Sequence, residues 1–320
     1  MKICVYGTSR KERPYFEEAR ARWGLQLELH EEKPCLESAH LARGCTCVSI
    51  LSIPAPAPLL DAWHALGVRF LSTRTVGMDH IDLAHAKAIG MRVDNITYAP
   101  QTVADYTIML ILMSLRRVKR IERKFACRDF SFDGVYGRNL EGRTVGVIGC
   151  GAIGTMLIQH LSGFGCRFLM CSRREKEELR PYGRFVDLDT LLAQSDVVTL
   201  HLTLNAQTRH IIAAPQLARM KPDAVLVNTA RGALIDTEAL IAALREKRIG
   251  AAALDVLEQE TGLYYYDCSK GPFSFPYLEE LERFDNVILT PHLAWLSEEA
   301  TAEMVFRSME SCRRFMNGGN

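Results

Sequence analysis

Three side chains stand where apolar runs end and could act together. Arg231 follows AVLVNTA, Glu260 follows AALDVLEQ, and His292 closes NVILTPH. A guanidinium can clamp a carboxylate through two parallel hydrogen bonds. An imidazole can give a proton to a carbonyl oxygen while hydride adds to the carbonyl carbon. A neighbouring carboxylate would hold that imidazole and favour its charged form. Taken singly, each residue has a plainer reading: a strand-end ion pair, a solvated acid, a hydrogen-bonded histidine. Ligands of open α/β sheets bind outside the carboxyl ends of the strands, so three such residues at strand ends form a coherent set.

A second feature is Gly149-Cys150-Gly151-Ala152-Ile153-Gly154, which fits G-x-G-x-x-G. Glycines recur by chance, and an ordinary strand–helix turn could contain them. Here the pattern directly follows the apolar run TVGVI and opens the helical pattern AIGTMLIQHL. In that setting one glycine makes the turn, one lets backbone approach a pyrophosphate, and one lets helix and strand lie close. The helix N-terminus then presents N–H groups and the positive end of a dipole to the phosphates. The next strand, CRFLMC, would end in an acidic residue if it held the ribose hydroxyls of NAD. It reads instead Ser172-Arg173-Arg174. A hydroxyl and two guanidiniums suit a 2′-phosphate. The expected cofactor is therefore NADP(H), with NAD(H) the alternative if both arginines are solvated surface charges.

These residues need a scaffold. Apolar runs at 2–7, 46–51, 68–73 and 91–96 alternate with helical patterns near 13–23, 57–66 and 82–89. A second series of runs lies at 144–149, 166–171, 196–202, 224–230, 250–256 and 286–292, with helices expected at 152–163, 188–194, 214–220, 235–246 and 297–316. Continuous apolar strands alternating with helices predict parallel sheets covered on both faces. The fold class is α/β, with two doubly wound parallel-sheet domains. One comprises 1–97 plus 296–320 and the other 98–295. Between the series the pattern predicts one long helix over about 101–124, apolar on all faces at YTIMLILMSL. Such a helix is buried between domains or against a second subunit, which predicts a homodimer.

The chain has 320 residues, 48% hydrophobic and 24% charged, with a net charge of +1. That balance gives no electrostatic reason to expect nucleic acid or an anionic membrane as partner. The longest apolar run, 106–115, is far short of the roughly 20 residues that cross a bilayer. The start, MKICVYGTSRKERP, does not resemble a secretory signal, so a cytoplasmic location is expected. None of the ten cysteines makes a CxxC, and Cys4, Cys166 and Cys171 sit in apolar runs. They read as reduced thiols rather than a disulfide or zinc framework, and no metal is expected.

Over essentially its whole length the chain resembles the D-isomer-specific 2-hydroxyacid dehydrogenases. The carrying segments are TVGVIGCGAIG, NTARGALIDTEAL, ALDVLEQE and LTPHLAW. The resemblance implies that Arg231 binds the substrate carboxylate and carbonyl, that His292 is the acid/base and that Glu260 is its partner. It also implies Asp255 near the nicotinamide carboxamide, and His201, Thr203, Thr229 and Ala230 along the cofactor. RTVGMDHID at 74–82 looks like the family's substrate loop, where the N–H groups of Val76 and Gly77 would receive the carboxylate. Tyr98 heads YAPQTVAD, similar to the family's YSPNAIAE, with Gln101 for the usual Asn and Asp105 for the usual Glu. Trp295 is expected to wall the pocket. ETGLYYYDCS and CSRR are most similar to D-lactate dehydrogenases, the latter to NADPH-using members from vancomycin-resistance systems. That likeness implies reduction of pyruvate or a slightly larger 2-keto acid. Reduction of 2-oxoglutarate or a branched-chain 2-keto acid, and a dinucleotide-sensing corepressor on the same fold, are the alternatives.

Overall fold

The computed structural model describes residues 2–318. In the first series, strands β1 (Lys2–Val5), β2 (Gln26–Leu29), β3 (Cys45–Ile50), β4 (Phe70–Thr73) and β5 (Arg92–Asn95) form one parallel sheet in the order β2-β1-β3-β4-β5. Helices α1 (Arg13–Trp23), α2 (Ala57–Ala65) and α3 (Leu83–Ala88) connect them. Next come α4 (Gln101–Leu115) and α5 (Val118–Ala126). The second series is β6 (Thr144–Ile148), α6 (Ala152–Leu161), β7 (Arg167–Cys171), β8 (Gly183–Phe185), α7 (Leu188–Gln194), β9 (Val197–Leu200), α8 (Ala214–Leu217), β10 (Val225–Asn228), α9 (Thr237–Arg245), β11 (Ala251–Leu254), α10 (Pro276–Arg283) and β12 (Val287–Leu289). Its seven strands are parallel, in the order β12-β11-β10-β9-β6-β7-β8. Helix α11 (Glu298–Met316) follows.

Both orders are those of doubly wound sheets, and in the larger one the order reverses between β6 and β9. Apolar clusters cover both faces of each sheet. Phe16, Val305 and Met309 pack beneath Ile3, Val5 and Cys47, while Leu59, Leu60 and Trp63 cover Cys4, Val48 and Ile50. On the seven-stranded sheet, Leu110, Ile111, Leu157 and Ile158 lie with one set of strand residues and Leu191, Leu240 and Leu244 with the other. The chain divides into two compact units, one of Met1–Ala99 with Leu296–Asn320 and one of Pro100–Trp295. No helix among the described residues is long and apolar enough to cross a membrane, and all ten cysteines are free.

The single helix expected over 101–124 is two helices. Arg117 adopts a left-handed backbone, φ +55°, and its N–H closes back on Ser114 O at 3.2 Å. Helix α4 buries part of its apolar surface inside its own unit, while Met109 stays 39% exposed. Val103, Ala104, Leu110, Ile111 and Leu115 are buried within its own unit, in contact with α6, β10 and β11. The edge strands β2 and β8 and the amphipathic α10 carry no continuous apolar run and were not anticipated.

Candidate active site

At the reversal point, β6 runs into Gly149, which has φ +97°. A Cβ there would stand 2.3 Å from His201 O, at the end of the adjacent β9. A Cβ on Gly154 would stand 2.1 Å from Gly149 O, so the first turn of α6 rests on the glycine turn. Gly151 differs: a Cβ there meets nothing within 4 Å. It is the N-cap of α6, no side chain caps that end, and the N–H groups of Ala152 and Ile153 have no acceptor among the described residues. Two glycines are thus required by the protein's own packing, and the third opens onto free space beside unsatisfied donors. That arrangement fits a dinucleotide pyrophosphate.

Gly149 N donates to Cys171 O at 2.9 Å, which sets the end of β7 beside this turn. Ser172 there is half-buried, and Arg173 and Arg174 are exposed, with no ion pair to any described residue. Lys176, which sequence reasoning missed, reaches Thr155 Oγ1 on α6 at 3.0 Å. Its signal was one more cation in the same charged stretch. His201 bonds Thr199 Oγ1 through Nε2 at 3.0 Å, and desolvation pushes its pKa down to about 4, leaving it neutral at pH 7. Thr203 is exposed. The Thr229 and Thr107 hydroxyls are 2.8 Å apart, and Thr107 Oγ1 donates to Val103 O at 2.7 Å.

His292 and Glu260 meet directly: Nδ1 donates to Oε1 at 2.5 Å, and both side chains are about one-fifth exposed. Nε2 is left as the ring nitrogen able to serve a substrate. The histidine holds φ +55°, uncommon without glycine, and several contacts fix it there. Its N–H donates to Asp255 O at 2.7 Å. The fully buried Asp255 carboxylate accepts from Thr290 Oγ1 at 2.6 Å, Leu293 N at 2.9 Å and Ala294 N at 2.8 Å. Burial raises the Asp255 pKa while these bonds oppose the rise. The carboxylate expected beside the cofactor is thus engaged in holding the segment that carries His292. Glu260 is fixed in turn by Leu257 N, which donates to Oε2 at 2.7 Å.

Tyr265 was not assigned from sequence. Its hydroxyl donates to His292 O at 2.9 Å and accepts from Trp295 Nε1 at 3.1 Å, and its ring meets Trp295 edge-on. Arg231, at the end of β10, is half-buried, with Nη1 on Ala230 O at 2.8 Å. The buried Asn228 shapes that turn, donating to Arg231 O at 2.8 Å and accepting from Ala230 N at 3.0 Å.

In the smaller unit, the carbonyls of Val76 and Gly77 accept from Asn95 Nδ2 and Thr75 Oγ1, each at 2.6 Å. Their N–H groups have no acceptor among the described residues. Tyr98 is half-buried. The loop starts from Arg74, also missed: it is fully buried, bonded to Ser49 Oγ and Tyr6 O at 3.0 Å each, with Nε 3.4 Å from Glu12 Oε1.

Residues 108–294 match the family described as D-isomer specific 2-hydroxyacid dehydrogenase, NAD binding domain. The chain belongs to this family. It is 41% identical over 314 residues to a D-specific alpha-keto acid dehydrogenase of Enterococcus faecium, covering 98% of this chain and 96% of the relative. A D-lactate dehydrogenase from Treponema pallidum superposes with a TM-score of 0.90 at 29% identity, covering 100% of this chain and 98% of that one. The NAD-complexed form of a D-isomer specific 2-hydroxyacid dehydrogenase from Lactobacillus delbrueckii ssp. bulgaricus gives a TM-score of 0.87 at 28% identity, covering 100% and 98%. The protein is therefore a D-specific 2-hydroxyacid dehydrogenase with an NAD-binding domain.

Proposed function

We propose that this dehydrogenase reduces a small 2-keto acid, pyruvate in the first instance, to its D-2-hydroxy acid, and prefers NADPH. The observation that carries the reading is the His292–Glu260 pair, fixed at the same sheet edge as the glycine turn. A dihydronicotinamide held beside the glycine turn would supply the hydride to the keto carbon. His292 delivers the proton from Nε2 to the keto oxygen as it becomes a hydroxyl, and Glu260 steadies the imidazole and balances its charge. Arg231 takes the substrate carboxylate in its planar fork and polarises the carbonyl. The N–H groups of Val76 and Gly77 are assigned to the same carboxylate, and Tyr98 and Trp295 to the substrate side chain. Asp255 acts by positioning the His292 segment. His201, Thr203, Thr229, Ala230 and Ser172 to Arg174 are assigned to the dinucleotide. In this reading residues 1–97 with 296–320 bind substrate and 98–295 bind the dinucleotide. The Tyr265–Trp295 contact supports a small or apolar substrate side chain. The test is a panel of 2-keto acids assayed with NADH and NADPH in parallel. Highest efficiency with 2-oxoglutarate would overturn the pyruvate assignment.

The glycine turn yields a separable prediction. Gly151→Ala adds a methyl to open space, so the urea unfolding midpoint should not move, while dinucleotide affinity falls by about tenfold, or about 1.4 kcal/mol. Gly154→Ala drives a methyl into Gly149 O and should lower the midpoint itself. Unchanged dinucleotide binding in Gly151→Ala would remove the turn from the cofactor site.

The homodimer is proposed through the second part of the span first expected to form one helix, together with the segment that follows it. Helix α5 is amphipathic, with Val118, Ile121 and Phe125 on one face, yet none of its residues is buried. Phe125, Phe130, Phe132 and Tyr136 are 70–76% exposed. Aromatic side chains bury about 150–250 Å² each, so these four could supply roughly the 800 Å² per partner of a standard interface. Ile121→Glu with Phe125→Glu should turn a dimer into a monomer in sedimentation. A wild-type monomer at micromolar concentration would contradict the assignment.

A further inference from the structure

Glu258 lies two residues before Glu260, and the chemistry proposed above does not use it. Its side chain is only 11% exposed, yet Oε1 accepts from both Arg209 Nη2 at 2.5 Å and His210 Nε2 at 2.9 Å. Both donors lie in the connection after β9. His210 holds φ +52° and donates its N–H to Ala233 O at 2.8 Å. Two further bonds, Ile212 N to Leu234 O at 3.1 Å and Asp236 N to Ile212 O at 2.9 Å, stitch this connection to the segment after Arg231.

The backbone at Glu258 is equally constrained. A Cβ on Gly232 would stand 2.0 Å from Leu257 C and 2.3 Å from Glu258 N. The chain just after Arg231 therefore rests on the Leu257–Glu258 peptide. Leu257 N, one atom group away, donates to Glu260 Oε2 at 2.7 Å. One short stretch thus abuts the Arg231 turn and holds the carboxylate that grips His292.

We propose that Glu258, clamped by Arg209 and His210, is a positioning residue that sets the Leu257–Glu258 peptide and through it aligns Glu260 and Arg231 for keto-acid reduction. The inference rests on the roles proposed above for those two residues. The bond from the Arg209 guanidinium to a nearly buried carboxylate is stronger than a neutral one, so together with the His210 bond it can fix a turn that contains no regular secondary structure. Losing them lets the turn shift, and a displacement of about 1 Å at reacting groups costs on the order of 10²-fold in rate.

The test places Glu258→Ala and Glu258→Gln in the wild type and in a Glu260→Gln background. Steady-state rates with pyruvate, the urea midpoint and dinucleotide affinity are measured for each. In the wild type, Glu258→Ala should lower kcat/KM about tenfold or more by lowering kcat and raising KM together. Glu258→Gln keeps an acceptor for His210 and should lose less. Dinucleotide affinity should hold within about twofold, because the glycine turn is untouched. In the Glu260→Gln background, Glu258→Ala should lose clearly less than in the wild type, since contacting residues that act together are non-additive. Equal fold-losses in both backgrounds, or no loss in kcat/KM, would overturn the proposal and leave Glu258 as a structural ion pair. Should Glu258→Ala fail to fold, Glu258→Gln and Arg209→Met carry the same comparison. If Glu260→Gln alone leaves kcat unchanged, the role of Glu260 fails and this inference with it. If Glu260→Gln slows the enzyme and the Glu258 variants do not, only this inference fails.

Discussion

His292→Ala is expected to lower turnover with pyruvate by about 10²–10⁴-fold, the span covered by a positioned general acid. The argument is geometric. Glu260 occupies Nδ1, so Nε2 is the ring nitrogen that can serve the carbonyl, and Asp255 and Tyr265 fix the ring's backbone on both sides. Alanine removes the proton donor and leaves that frame in place, because the frame is built from the His292 N–H and carbonyl rather than from the imidazole. The glycine turn and the end of β7 belong to other strands, so dinucleotide affinity should stay near wild type. Single-turnover rates together with a dinucleotide titration separate the two effects. A variant keeping most of its turnover would take His292 out of the chemistry. A variant that loses dinucleotide affinity in proportion to rate would show a wider collapse of the site.

The His292–Glu260 pair was legible in the sequence because both residues follow strands of a parallel sheet. Such strands are buried on both faces and read as unbroken apolar runs, so the first polar side chains after them stand out. ALDV and NVILT are of this kind, and Glu260 and His292 lie within a few residues of their ends. The supporting residues gave no such signal. Arg74 opens the segment likened to the substrate loop, and nothing in its spacing marks it as buried, yet it is fully enclosed and contacts Ser49, Tyr6 and Glu12. Tyr265 sits in a turn, where no periodicity marks which of three successive tyrosines faces His292. The three donors to Asp255 come from a segment 35 to 39 residues further on, which no local spacing reveals. The division between α4 and α5 was equally hidden. LMSLRRVKRIERK contains no glycine or proline, and the break depends on an arginine in a left-handed conformation that L residues seldom adopt.

The other large effect expected is in cofactor choice. Wild-type enzyme should use NADPH about 10- to 100-fold more efficiently than NADH, equivalent to about 1.4–2.8 kcal/mol. Ser172 stands at the end of β7, where a carboxylate would bind the ribose hydroxyls of NAD, and Arg173 and Arg174 follow it. Each charge-assisted bond to a 2′-phosphate contributes about 1.5–3 kcal/mol before screening. Both guanidiniums are exposed, so solvent removes much of that gain and the net preference falls in the lower range. Neither is committed to a carboxylate among the described residues, so no existing ion pair has to break. Ser172→Asp with Arg173→Ile should reverse the preference, because the new carboxylate binds the ribose diol and repels the phosphate. High salt should narrow the wild-type preference, since exposed ion pairs are screened over about 10 Å at 0.1 M, and should act less on NADH, which lacks the phosphate. The measurement is kcat/KM for both dinucleotides at two ionic strengths, in wild type and double variant. Equal or better efficiency with NADH in the wild type would mean that Arg173 and Arg174 serve only as solvated surface charges.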